Sequence, residues 1–590
     1  MKELERREWR LRASGSSANG PSQVFETLSQ ETGLSRLTLK VCEQRGLDTA
    51  QAIRNFLSPQ LENLKDPFSI RDMNLAVERV SDIREKGEKL RVFGDYDVDG
   101  TAGASLLTWI FRECGIQADV RQPDRFKDGY GLNVKAVEET AQAGIKVLMT
   151  VDCGISSFDA AERARELGID LIIIDHHQID PVRGLPPAYA VINPHRSDCE
   201  SGLKQLCGCG LAFYFARALR THGRALGWWV SGAEPNLKQH LDLVVLATAA
   251  DLVPLTGDNH ILVRHGLEVL KHTKKPGLKA LLEVSGVASK NLSPSHLGFV
   301  LGPRINASGR MVSASIAHEL LTTEDSVKAS ELAAQLEKLN KERAGVQNQI
   351  WDEVRARVDK GLEEGRFQHA IVLGDPSWHE GVVGIVASRV VETYRRPAAI
   401  LAFREDFGKG SVRTYAGKDV LSALRACAPL LLGFGGHRHA AGLSVAPEQF
   451  ENFVQAFDTA VGELQTDEDA KPLYLEGECS LVDLDLKTLQ ELEKLGPFGP
   501  GNPEPVFSFR ATVKRYQVMK ERHLKFQLSE KHTDPTAKTL EAVWFHAAQS
   551  CEESEMLYQE SEWAGVPEIN RFRGYVTPTI RIKDCRRGGE

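Results

Sequence analysis

Apolar residues fall into short unbroken runs in the first half of the chain and into alternating ones near its end. Leu90-Arg91-Val92-Phe93, Val147-Leu148-Met149-Thr150-Val151 and Asp170-Leu171-Ile172-Ile173-Ile174 read as strands. Segments 102–114, 134–143 and 158–167 between them carry a helical period. That alternation is a βαβαβ pattern, which implies a parallel sheet with right-handed crossovers. Segment 211–220 reads as an amphipathic helix. From 326 to 362, Leu332, Leu336, Leu339, Val346, Ile350, Val354 and Val358 recur at spacings that suit one long helix. Such a helix can bridge two domains and set the width of a cleft. Strand-like 370–373 and 398–403 then flank helix-like 383–394, a second α/β unit. Segments 506–509, 512–518 and 524–528 alternate as short strands.

A chain of 590 residues is too long for one core. The expected fold class is α/β multidomain. An accessory region occupies 1–67, with a flexible Gly15-Ser16-Ser17-Ala18-Asn19-Gly20-Pro21-Ser22 stretch and a boundary at Pro67. A parallel-sheet domain spans 68–325, the connecting helix 326–365, a smaller α/β domain 366–465 and a β domain 466–590. The stretch from Ser550 to Glu562 is acidic and has no assigned role.

Candidate chemistry gathers where the strands end. Gly94-Asp95-Tyr96-Asp97-Val98-Asp99-Gly100 follows the first run. In an extended segment Asp95, Asp97 and Asp99 would face one side. Three adjacent anions repel unless a hard divalent cation sits among them. A calcium loop is the sharpest rival, but its twelfth position, which needs a Glu, is Leu106, and a strand precedes it. A solvated acidic turn is the blander one. The second run ends in Asp152-Cys153-Gly154 and the third in Asp175-His176-His177. In parallel sheets the ligand site lies outside the carboxyl ends of the strands. Carboxylates and imidazoles from three distant places therefore converge there, which a chance acidic turn does not explain.

Net charge of −8 argues mildly against a non-specific duplex binder, although a local groove outweighs the sum. The ten cysteines show no metal-finger spacing, and Cys207-Gly208-Cys209 is too tight for one. No apolar run is long enough for a membrane span, and Met1-Lys2-Glu3-Leu4-Glu5-Arg6-Arg7 leads into no apolar signal core. A reduced cytoplasmic setting without a membrane is the expectation.

Asp95-x-Asp97-x-Asp99-Gly100, Val151-Asp152-Cys153-Gly154 and Asp175-His176-His177, with Asp251 in Ala249-Ala250-Asp251-Leu252-Val253-Pro254, resemble the DHH phosphoesterase superfamily. Farther on, Gly302-Pro303-Arg304-Ile305-Asn306-Ala307-Ser308-Gly309-Arg310 and Trp378-His379-Glu380-Gly381-Val382-Val383-Gly384 resemble its RecJ branch. So does Pro497-Phe498-Gly499-Pro500-Gly501-Asn502-Pro503. Gly435-Gly436-His437 with Ala440-Ala441-Gly442 is similar to the DHHA1 signature. The likeness runs in order from about Phe68 to about Phe509. It implies a DHH domain, a DHHA1 substrate-binding domain and an OB-like C-terminal domain. It also implies 5′→3′ degradation of single-stranded DNA to mononucleotides by two-metal hydrolysis.

The ligands expected are Asp97, Asp99, Asp152, His176 and Asp251, with Asp152 bridging. The resemblance assigns Asp97 to one ion and Asp99, His176 and Asp251 to the other. Asp95 and Asp175 are expected as orienters. His177 is either a ligand or, in the favoured reading, a donor to the scissile phosphate. Relatives of the pyrophosphatase branch carry a His where this chain has Phe93, so a weak second ion, or one arriving with substrate, is expected. Mixed carboxylate and imidazole ligation suits Mn²⁺, with Mg²⁺ as competitor.

Arg304, Arg310 and Arg413 are the expected phosphate clamps, Arg310 in a Gly/Ser/Asn-rich loop, with Arg389 a lesser candidate. Arg125 beside Lys127, and Ser411, Gly436, His437 and His379 in Gly-rich or family segments, are further candidates. Lys514, Arg515, Tyr516, Lys520, Arg522, His523 and Lys525 interleave basic and aromatic residues, as a single-strand groove requires. Two rivals stand beside the exonuclease. A DHH–DHHA1 phosphodiesterase on short or cyclic oligonucleotides needs no such C-terminal domain. A catalytically dead replication scaffold would have eroded ligands. The resemblance further suggests a monomer that meets single-strand-binding protein and a RecQ-type helicase.

Overall fold

The computed structural model describes residues 7–12, 21–126, 129, 131–230, 232–288, 292–465, 472–530, 539–547, 560–572 and 574–587. Gly15 to Gly20, Lys127 and residues 550–559 of the acidic stretch lie outside the described residues. The chain divides into two compact units. One comprises Lys65–Val253 and His265–Asp469, the other Met1–Leu64, Pro254–Arg264 and Ala470–Glu590. Among the described residues no helix is long and apolar enough to cross a membrane.

The first unit holds β1 (Lys89–Gly94), β2 (Gln117–Arg121), β3 (Val147–Val151), β4 (Asp170–Ile174) and β5 (Ala190–Ile192), in the order β2-β1-β3-β4-β5. Every neighbouring pair is parallel. Helices α1 (Val98–Glu113), α2 (Val134–Gln142) and α3 (Phe158–Glu166) make the crossovers. β1, β3 and β4 are the three apolar runs. β2 escapes the sequence because it is a half-exposed edge strand, Gln117-Ala118-Asp119-Val120-Arg121, whose Asp119 pairs with Arg91 at 2.8 Å. β5 is only three residues long.

The strands end level. Gly94 lies beside Val151, Val151 beside Ile174, and Ile174 beside Ile192. The next residue on each chain keeps one sheet bond: Asp95 N–H donates to Val151 O (3.2 Å), Asp152 to Ile174 O (2.9 Å) and Asp175 to Ile192 O (3.1 Å). Register alone therefore sets three aspartates side by side.

Helices α4 (Gly208–Ala225) and α5 (Leu241–Ala250) follow, then a π-helical turn at Leu297–Leu301 that runs into α6 (Gly302–Met311). Residues 306–310 are thus helical, not the loop their composition predicts. Ile305, Ala307, Ser308 and Gly309 are buried, and a Cβ on Gly309 would stand 3.1 Å from Tyr96 O. Close packing outweighs the helix penalty of glycine. The long helix is α7 (Ser326–Glu363), capped by Asp325, whose carboxylate accepts from the Val327 and Lys328 amides. Its buried stripe contains Leu332, Leu336, Leu339, Ile350, Val354 and Val358.

β6 (Ile371–Asp375), α8 (Val383–Tyr394), β7 (Ala398–Phe403), β8 (Gly408–Arg413), β9 (Leu431–His437) and β10 (Ala440–Val445) complete this unit, with strand order β9-β10-β8-β7-β6. Only β6 and β7 are parallel. The Gly-rich segments 410–413 and 433–437 are strands. Gly410 sits across from Leu401 and Leu443, and a Cβ there would come 2.5 Å from Leu401 Cγ. Its glycine serves cross-strand packing rather than a phosphate-binding turn.

In the second unit, β11 (Phe507–Met519), β12 (His523–Ser529), β13 (Thr539–Trp544), β14 (Ser561–Phe572) and β15 (Tyr575–Arg587) close into a barrel. The pairings run β11–β12–β13–β15–β14 and back to β11. A closed five-stranded barrel of this kind is the OB architecture. Trp563, Phe507 and Phe509 fill its core. Helices Arg36–Gln44 and Ala50–Leu57 add Leu39, Val41, Cys42 and Ile53 to that same core. Trp9–Leu11 pairs with Leu473–Leu475. The N-terminal region, read from sequence as separate, shares its core with the barrel.

Candidate metal centre

Helix α1 begins inside the aspartate triplet. Asp97 caps it, accepting from the Asp99 amide (2.9 Å) and the Gly100 amide (3.1 Å). Asp99 lies in the first turn, so the three carboxylates do not project from one extended strand as their spacing suggests. The helix start divides them. Oxygens of Asp95 and Asp97 gather with one of Asp152, while an oxygen of Asp99 gathers with His176 and Asp251. Gly100 permits this turn, because a Cβ would sit 2.5 Å from Asp95 N.

Asp152 adopts φ 65°, a left-handed conformation that non-glycine residues seldom take. His176 Nε2 lies 3.2 Å from Asp152 Oδ1, 3.5 Å from Asp251 Oδ2 and 3.8 Å from Asp99 Oδ2. Asp251 stands at the C-terminal end of α5. Asp95 Oδ1, Asp152 Oδ1, His176 Nε2 and Asp251 Oδ2 are buried with no hydrogen-bond partner. Four converging orphan atoms of these types fit a divalent cation.

The electrostatics agree. Burial first, then Asp97, pushes Asp95 well up; burial and the neighbouring aspartates do the same to Asp152. Burial, then Asp99 and Asp97, raise Asp251 to about 9. Burial raises Asp99 despite the pull of His176. Burial lowers His176, keeping it the neutral imidazole that a metal needs.

The sign of the resulting pH dependence is fixed. Between the ordinary 3.8 of Asp251 and about 9, the folded chain holds a proton that the unfolded chain releases. The contribution of Asp251 to stability without a cation is full below pH 4 and is lost as pH rises towards 9. Urea midpoints of EDTA-treated protein are expected to be lower at pH 8 than at pH 5.5, with Mn²⁺ removing most of the difference. A flat profile without metal would contradict the crowding.

Asp175 orients His177, whose ring also groups with Asp152 and His176. Asp175 accepts from the Ile155 amide (2.9 Å), the His177 amide (3.1 Å) and His177 Nδ1 (2.7 Å). Burial would raise Asp175, but these bonds hold it below its ordinary value. Burial would likewise lower His177; the Asp175 bond and charge overcome it and push His177 to about 9. The His177 ring lies parallel to that of His437 on β9, 8° between planes and 6.3 Å between centroids.

The sequence missed what holds Asp99. The first amides of α4 grip its carboxylate: Gly208 N–H to Oδ2 at 2.6 Å and Cys209 N–H to Oδ1 at 2.8 Å. A Gly-Cys-Gly opening an amphipathic segment was the available signal. Gln122, which donates to Asp95 O (2.9 Å), and Asn193, which donates to His177 O (3.0 Å), had none.

Four arginines draw together nearby. Arg125 lies over the Tyr96 ring at 4.9 Å, and Arg310 donates to Gly381 O at 3.2 Å. Arg413 donates to Ser411 Oγ (2.7 Å), and Arg343 on α7 to Gln347 Oε1 (2.9 Å). Among the described residues no carboxylate pairs with any of them. Burial, then Arg125, lowers Arg310 to about 10; burial and Arg125 also lower Arg413. Partly buried, mutually repelling guanidiniums without acids have the chemistry to take an anion.

Other candidates are placed differently. Arg304 is held by Glu337 (2.7 Å) and Val300 O (2.6 Å), so its charge is already matched. Arg389 stacks on Trp351 at 4.2 Å. Gly436, at φ 141°, is required by the hairpin, since a Cβ would meet Ala440 O at 2.5 Å. His379 Nδ1 accepts from the Gly381 amide, and its ring stands edge-on to Phe126.

Residues 89–248 match the DHH family, N-terminal domain; 365–463 match the DHHA1 domain; and 475–584 match the RecJ OB domain. The chain is 37% identical over 562 residues to the single-stranded-DNA-specific exonuclease RecJ of Dickeya dadantii, covering 93% of this chain and 96% of that protein. The chain belongs to the RecJ family. RecJ of Escherichia coli is 36% identical over 570 residues, 94% of this chain and 96% of that protein. The structure is similar to RecJ from Thermus thermophilus in complex with Mn²⁺, at TM-score 0.81 and 27% identity over 99% of this chain and 80% of that one. A second RecJ structure from the same organism, in complex with Mg²⁺, is similar at TM-score 0.75 and 25% identity over 99% and 79%. Both metals expected from the ligand chemistry occur in these relatives. RecJ relatives likewise bear out the expected order of parallel-sheet DHH, DHHA1 and OB parts.

Proposed function

We propose that this chain is a metal-dependent exonuclease that hydrolyses single-stranded DNA in the 5′→3′ direction to mononucleotides, in DNA repair and recombination. One observation carries the chemistry: the buried, unpartnered Asp95 Oδ1, Asp152 Oδ1, His176 Nε2 and Asp251 Oδ2 converge at the carboxyl edge of a parallel sheet. Asp97 and Asp152, with Asp95 beside them, would hold one divalent cation. Asp99, His176 and Asp251 would hold a second, with Asp152 between them. When bound, such ions make hydroxide available near neutrality and offset charge on the phosphoryl oxygens.

The protein supplies the rest. His177, kept protonated by Asp175, offers a hydrogen bond to the scissile phosphate. Arg125, Arg310 and Arg413 hold phosphates of the strand, and His437 brings the second α/β sheet to the same place. On the barrel, Arg515, Tyr516 and Val518 of β11 are exposed, as a stacking groove requires. Cytoplasmic location, a monomeric state, and association with single-strand-binding protein and a RecQ-type helicase rest on family likeness. A pull-down tests the partners.

The decisive assay is digestion of end-labelled DNA with Mn²⁺ or Mg²⁺. Release of a 5′ label first as mononucleotide, with duplex untouched and EDTA abolishing the reaction, is the expected result. Cleavage of dinucleotides with long strands left intact would favour a small-substrate phosphodiesterase. No cleavage with either metal would point to a scaffold.

A further inference from the structure

One face of α6 leads from the arginine cluster to an aromatic side chain in solvent. Arg310, Asn306, Pro303 and Phe299 are spaced by four, three and four residues, which at 3.6 residues per turn puts them in one row. Arg310 closes the row at the anion site. Phe299 opens it and is 69% exposed. It sits on the π-helical turn Leu297–Leu301. Extra residues in a helix of this kind re-aim side chains and are frequent at functional sites.

The backbone under Phe299 is pinned to the metal centre. A Cβ on Gly298 would stand 2.9 Å from Ala249 O, two residues before Asp251. One on Gly302 would touch Ala250 Cβ at 3.5 Å and Val98 Cγ2 at 3.7 Å, the latter between Asp97 and Asp99. On the far side of the row Arg304 is tied to Glu337 of α7. The row therefore runs between the metal-binding loops and the long helix. Leu252, directly after Asp251, is 52% exposed at φ 58°, a second apolar group presented beside a metal carboxylate. Single exposed apolar residues are ordinary; an aromatic on a π-helical turn whose backbone packs against the residues flanking Asp97, Asp99 and Asp251 is not.

We propose that Phe299 is a positioning residue that stacks on one base of the bound strand, while Arg310 holds a phosphate at the other end of the row. The proposal rests on the exonuclease reading. It gives the enzyme a sequence-tolerant hold on the strand, because every base has a π-face.

The test compares wild type, Phe299→Ala, Phe299→Leu and Phe299→Trp on single-stranded oligonucleotides that each lack one base at a different position from the 5′ end. Wild type is expected to lose about 5- to 100-fold in kcat/KM at one position when its base is absent. Phe299→Ala and Phe299→Leu should show that loss on intact DNA and no further loss at the abasic position. Phe299→Trp should behave as wild type. If Phe299→Ala is as fast as wild type on intact DNA, or keeps the same abasic sensitivity, the stacking role is wrong and the exonuclease reading stands. If wild type degrades no single strand, both fall together. Phe299→Leu preserves an apolar surface, so a general folding defect would not reproduce the position-specific pattern.

Discussion

Asp152→Asn is expected to abolish nuclease activity while making the metal-free protein more stable. Asp152 is buried, its Oδ1 has no hydrogen-bond partner, and four other aspartates raise its carboxyl together with burial. An amide in its place removes one charge from that crowd. The metal-free protein is therefore expected to gain stability. The same change removes the carboxylate between the two clusters. Activity should fall by on the order of 10³-fold, since a group that stabilises developing charge is lost. The signature is the opposition of the two effects. Thermal melts in EDTA should rise, and the increase that Mn²⁺ gives wild type should shrink. A variant that is less stable in EDTA yet still stabilised by Mn²⁺ would show Asp152 to be a structural carboxylate.

Gly208→Ala is expected to be the next most damaging, although glycine has no side chain to offer a metal. An added Cβ would stand 2.7 Å from Asp152 Cβ, 2.9 Å from its Cα and 3.1 Å from its amide nitrogen. Backbone cannot yield as a flexible side chain does, so either Asp152 or the start of α4 must move. The start of α4 supplies the amides that hold Asp99, so both clusters are disturbed at once. Loss of an orienting contact costs about 10–100-fold in metal affinity or activity. Overpacking adds about 1–3 kcal/mol of destabilisation. Gly210→Ala is the control. Its nearest neighbour would be a Leu206 carbon at 3.5 Å, an ordinary contact, and alanine suits a helix interior. Mn²⁺ titration followed by turnover on single-stranded DNA distinguishes them. Equal behaviour of the two variants would remove the clamp from the account of the site.

Much of the site was legible in the primary structure because strand ends in a parallel sheet are predictable places. β3 and β4 are nearly continuous apolar runs, β1 is one interrupted by Arg91, and each is followed directly by an aspartate. The strands predicted nothing about Asp99, which was read with Asp95 and Asp97 as one extended face. A helix beginning at Val98 separates them, and only the loop packing around Gly100 decides where that helix starts. Glycine was the most misleading residue. At 436 it marked a candidate phosphate-binding position, whereas a tight hairpin requires it there and cross-strand packing requires it at 410. Arginine was the next. Arg304 and Arg310 stand in one motif, yet the first is neutralised by Glu337 and the second is left without an acid.

The alternation of β1, β3 and β4 with helices, the identity of the metal-competent side chains and the long amphipathic helix were determined by the sequence itself. They depend on periodicity and on residue type, both local properties. Tertiary structure decided which carboxylates lie together, that an α4 amide pair grips Asp99, that His437 reaches His177, and that Phe299 stands in solvent at the end of a row from Arg310. Each of these joins residues far apart in the chain, or depends on which side of a helix faces a neighbour. Packing alone makes that choice.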